Sequence, residues 1–111
     1  MLSKIHRRAE ALDEACLRAW GHPHDHRVQQ ELLNALEWDA SLRADHARPV
    51  IRDRFKQVRD HSADLAGRIR ASANNPDGAV HAITHGAGTL RRSLAALKHA
   101  LENRHKEPRP D

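Results

Sequence analysis

Apolar side chains recur along the chain in four runs, each at the three- and four-residue steps that line one face of an α-helix. In the first run Ile5, Ala9, Leu12, Cys16 and Ala19 share a face. The spacing predicts a helix from about Ser3 to Trp20, with Ser3 as N-cap and Gly21-His22-Pro23 as the stop. The second run, from Asp25 to Ala47, carries two stripes. One is Val28, Leu32, Ala35, Leu36 and Leu42; the other is Leu33, Leu36, Ala40, Ala44 and Ala47. A helix apolar on two faces is contacted from two sides.

Pro49 leaves two readings open. It can open a third helix at its first position, where the missing N–H costs nothing. It can also kink one long central helix, because Ala40, Ala44, Ala47, Ile51 and Phe55 pass through it in phase. The break is the preferred reading. The third run places Ile51, Phe55, Val58, Ser62, Leu65 and Ile69 on one face. Asn74-Asn75-Pro76-Asp77-Gly78 is the clearest turn signal in the chain. The fourth run, Val80, Ile83, Ala87, Leu90, Leu94, Leu97 and Leu101, is an unbroken a/d heptad, interrupted on its flank by Gly86 and Gly88.

Four stripes joined by short connections predict an all-α fold, an antiparallel up-down helical bundle of four helices. The alternative is three helices with a long central one kinked at Pro49. Residues 1–105 are expected to form one domain, and residues 106–111, with Pro108 and Pro110, a disordered tail. Composition agrees. Of 111 residues 39% are apolar and only 3% aromatic, with 18 alanines and 12 leucines. Such a chain excludes an all-β domain, and no apolar run approaches the ~20 residues of a membrane span. The alanine content makes a thin core, and the strict heptad of the last run would be served by a second copy, so a homodimer is expected. Cys16 is alone and cannot form an internal disulfide; on the apolar stripe it reads as a buried small hydrophobe. No secretion-type apolar segment follows the N-terminus, which points to a cytoplasmic, bacterial-type protein with no membrane partner.

Net charge is +4, unevenly spread. Residues 1–47 hold six basic and eight acidic side chains; residues 48–111 hold thirteen and seven. Glu31, Glu37, Asp39 and Asp45 make the second run acidic. Arg48, Arg52, Lys56 and Arg59 recur at helical steps in the third, forming one basic face. Such a face is either laced to the acidic neighbour, or a surface for an acidic protein partner, or a nucleic-acid backbone surface. Few aromatics for base stacking and the absence of a helix-turn-helix signature rank nucleic acid below protein.

Ten histidines are the most unusual feature of the composition. His22, His24 and His26 alternate around Pro23 and Asp25, a donor set that could hold Zn²⁺ or Ni²⁺ in a metal-binding helical bundle. His81 and His85, four apart, are a second pair. Arg, then four to six intervening residues, then His marks the helical higher-eukaryote/prokaryote nucleotide-binding ribonucleases. It occurs here at Arg18/His24, Arg54/His61 and Arg92/His99. About four hits are expected by chance at this composition, so the motif is uninformative. Histidine phosphotransfer domains carry Lys three and Gly four residues after the reactive His. Here His81 is followed by Thr84 and His85, which breaks the pattern. With no nucleophile–base pair, phosphate loop or framed carboxylates, the chain reads as a non-enzyme. It is expected to act as a regulatory or adaptor protein that binds a macromolecular partner through its basic face.

Overall fold

The computed structural model describes residues 2–45, 47–72 and 74–103, of which 81% are helical. Four helices follow one another: α1 (Leu2–Gly21), α2 (His26–Ala35), α3 (Pro49–Ala71) and α4 (Pro76–Asn103). The fold class predicted from periodicity is the one observed, and no strand occurs among the described residues. No helix among them is long and apolar enough to cross a membrane. The tail at 106–111 lies outside the described residues.

α4 is the central element, packing against both α1 and α3, while α2 packs on the side of α1. Side-chain pairs fix the directions. His6 meets Glu102 and Asp13 meets Arg91, so α1 and α4 are antiparallel. His61 Nδ1 lies 2.6 Å from Ser93 Oγ and Leu65 stands against Gly86, so α3 and α4 are antiparallel. Arg18 pairs with Glu31 across α1 and α2.

The apolar stripes are the core. Ile5, Leu12, Cys16, Val58, Ile83, Leu90, Leu94 and Leu97 are fully inaccessible, and Leu101 is nearly so. The α4 heptad therefore finds its partners within one chain, and the reason it gave for a second copy falls away. Gly86 lets α4 approach α3 closely. A Cβ there would stand 2.7 Å from Leu65 Cδ1, so a side chain would push α4 off α3. Ser62, the one polar member of the α3 stripe, is fully buried and satisfied. Its hydroxyl donates to the Val58 carbonyl at 2.7 Å and accepts from Trp38 Nε1 at 3.1 Å.

Pro49 opens α3 in its first turn, with Arg48 as N-cap residue, so the preferred reading of a break holds and the kinked alternative does not. Two local expectations are corrected. Ser3 is not an N-cap, since α1 is already helical at Leu2. The second run is not helical to Ala47. α2 is only ten residues long and stops at Ala35, and the described residues between it and α3, 36–45 and 47–48, form a non-helical strap.

The stop has identifiable causes. The Arg8 guanidinium donates to the carbonyls of Ala35 and Glu37 at 3.3 and 3.0 Å, taking up acceptors that the helix end leaves open. Asp39 Oδ1 accepts from the Ser41 N–H at 2.9 Å, a local turn that competes with helix. Trp38 is drawn inward to Ser62 and to the Phe55 ring, which it meets edge-on at 5.2 Å and 71°. The strap still buries Leu36, Leu42 and Ala44, so it completes the core in place of a longer helix. At the far turn, Asn75 Oδ1 accepts from the Gly78 N–H, and α4 starts at Pro76 inside the predicted turn.

Candidate functional site: a basic groove between α3 and the strap

α3 carries its basic residues on the side opposite the α4 contact because its apolar stripe fixes the rotation of the helix. Arg52, Lys56 and Arg59, at steps of four and three, stand along one groove against the strap. The groove has a volume of about 480 Å³. Phe55 and Ala44 are its buried apolar members; Arg43, Asp45 and Asp60 complete its charged lining. The Arg59 guanidinium lies over the Phe55 ring, 5.5 Å from its centroid, a cation–π contact that pre-orients the head group. Arg48, at the N-cap of α3, is half-buried and is not among the lining residues. Three of the four residues of the basic face are thus brought together, and Arg43 and Phe55 join them from outside that pattern.

The acidic side chains of the preceding segment pair with cations outside the row Arg52, Lys56 and Arg59. Glu31 pairs with Arg18 at 3.6 Å, Glu37 with Arg70 at 3.0 Å, and Asp45 with Arg43 at 3.5 Å. Asp39 is held below the usual carboxylate range, chiefly by the backbone N–H of Ser41 and then by its hydroxyl. Arg52 meets only its neighbour Asp53, at 3.9 Å, and Lys56 has no ion pair among the described residues. Arg52, Lys56 and Arg59 are therefore not paired with Glu31, Glu37 or Asp45, and the groove lining carries more basic than acidic side chains.

The far side of the strap forms a second groove of about 470 Å³, lined by Lys4, Arg7 and Arg8 of α1 and by Glu37, Asp39, Ser41 and Leu42. Here the cations face carboxylates, and Arg8 is committed to the end of α2.

The histidine cluster is dispersed. His22, His24 and His26 are all exposed in and beside the α1–α2 connection. The Asp25 carboxylate is used as the N-cap of α2, accepting from Arg27 N at 2.9 Å and Val28 N at 3.4 Å. His24 and His26 border a groove of about 480 Å³ with Gln29, Leu33, Ile69 and Pro76, and His22 does not. No three His, Cys, Asp or Glu side chains converge as a metal site among the described residues. His81 and His85, by contrast, bring their rings together, centroids 4.2 Å apart. The three Arg/His pairs form no common site: Arg18 meets Glu31, Arg54 meets Gln57, and His99 meets Asn103. Cys16 is fully buried, and burial, with a smaller contribution from Asp13, pushes its thiol up to about 12. It is a protonated packing group at neutral pH.

Comparison with protein-family models, with characterised proteins and with solved structures finds no match to this chain.

Proposed function

We propose that the protein is a non-enzymatic binding module that docks an acidic segment of a protein partner in the groove between α3 and the strap. Arg52, Lys56 and Arg59 form the contact row, Arg48 extends it at the start of α3, and Phe55 supplies the apolar floor. One observation carries this reading. The carboxylates that would neutralise a merely solvated basic face, Glu31, Glu37 and Asp45, are paired with other cations. Three basic residues spanning seven positions cover about 10 Å of helix, two turns of a facing peptide. A regulatory or adaptor role in the cytoplasm of a bacterial-type cell is the setting such a surface suits.

A protein segment fits better than a nucleic acid. Phe55, only 3% exposed, offers no face on which a base can stack. A homodimer, expected from the heptad, would have to be built on other apolar side chains; Leu17, Trp20 and Val50 are the large exposed ones.

The test is fluorescence anisotropy with a labelled Glu/Asp-rich peptide and, separately, a single-stranded oligonucleotide, at about 50 and 200 mM salt. The peptide is expected to bind, and reversal of Arg52 and Lys56 to Glu should weaken it at least about tenfold with helicity unchanged. Undiminished binding by the reversed protein would show the row to be only a solvated face. Tighter binding of the oligonucleotide, falling steeply with salt, would replace the protein-partner reading with the nucleic-acid one.

A further inference from the structure

His81 and His85 stand one turn apart on the exposed side of α4, outside the groove assigned above. Their ring centroids are 4.2 Å apart with the planes inclined at 50°. Neither imidazole has a hydrogen bond or ion pair to another side chain among the described residues, and Thr84 between them is turned to the Val80 carbonyl. Two unengaged nitrogen bases are thus held on one helical face at the separation that i, i+4 side chains span. We propose that this pair is a bidentate chelate for a divalent transition-metal ion of borderline softness, Ni²⁺ or Zn²⁺. Each ring supplies one nitrogen lone pair and water completes the shell.

No third protein donor joins them among the described residues, so the site is open and its consequence is local. The two ligands meet only when the turn between them is helical, which makes metal binding and helicity of this turn mutually reinforcing. The turn lies directly before Gly86 and Gly88, two residues of low helix propensity in the interior of α4. At Gly86 a Cβ would stand 2.7 Å from Leu65 Cδ1, so a larger residue there requires Leu65 to move. A bound ion therefore braces the first half of α4 at the point where close packing against α3 has cost it helix strength.

The experiment is titration of the full chain with Ni²⁺, followed by calorimetry, by thermal melting and by the ring resonances of the ten histidines. The Ala variants His81→Ala/His85→Ala and His22→Ala/His24→Ala/His26→Ala are compared with the native chain. The paramagnetic ion should broaden the His81 and His85 rings at the lowest additions. With metal at a few times its dissociation constant, the native chain and the triple variant should melt about 4–8 °C higher, and the double variant should show no rise. All five replaced histidines are exposed, and Ala is a good helix former, so loss of the response in the double variant is not loss of fold. An unchanged Ni²⁺ heat and melting rise in the double variant, or first broadening at His22, His24 or His26, would overturn the assignment.

Discussion

Cys16 shows how much a single core position can say about pH. Its thiol is lifted from 9.0 to about 12, first by burial and then by Asp13, against a smaller opposite pull from Arg91. A raised pKa means that the folded chain holds the proton more tightly than the unfolded one. The associated stability is complete below pH 9 and is lost as pH climbs towards 12. Chemical denaturation midpoints at pH 8, 10 and 11 should therefore fall in that order. A thiol reagent at pH 8 should label the chain only at the rate of unfolding; rapid labelling in the native state would place the sulfur at the surface. Cys16 and Ser62 were both legible as stripe members from spacing alone. That Ser62 carries the Trp38 indole was not, because the acceptor and donor lie 24 positions apart and only the fold of the strap brings them together.

At the scale of elements, periodicity located all four helices and the main turn, since each stripe is a local pattern. It over-extended α2 because an apolar period records which side chains are buried, not which backbone buries them. Leu42 and Ala44 enter the core from a non-helical segment. Asp39 and Ser41 are the residues whose side-chain chemistry could have signalled the break. The basic face was legible for the same reason as the helices, whereas Arg43 and Phe55 entered the groove only through the strap. Glycine substitutions separate propensity from packing. Gly67 of α3 has open space around its absent Cβ, so Gly67→Ala should stabilise the protein by about 0.5–1 kcal/mol. Gly86→Ala gains the same propensity but drives a methyl group into Leu65, an overpacking that costs about 1–3 kcal/mol. Urea denaturation should show the two variants shifting in opposite directions.

At the scale of the whole molecule, one hydrophobic cluster draws on every helix, and Leu94 lies in it with no accessible surface. Leu94→Asp should abolish the cooperative thermal transition, because a carboxylate there has no partner and no water. Leu94→Ala should lower stability by about 2–5 kcal/mol while leaving the far-ultraviolet circular dichroism of the native state strongly helical. A well-folded Leu94→Asp protein with unchanged melting would contradict the placement of this face. The central place of α4 also has a meaning in time. α1 and α3 meet their principal packing partner in the last helix of the bundle, and the His6–Glu102 contact joins residues 96 positions apart. While the chain is being made on the ribosome, the leading helices emerge with their apolar faces uncovered. They stay so until Leu90, Leu94, Leu97 and Leu101 have been added. Folding of this protein is thus tied to the end of synthesis of α4, and its exposure to chaperones and proteases is set by how quickly those residues follow.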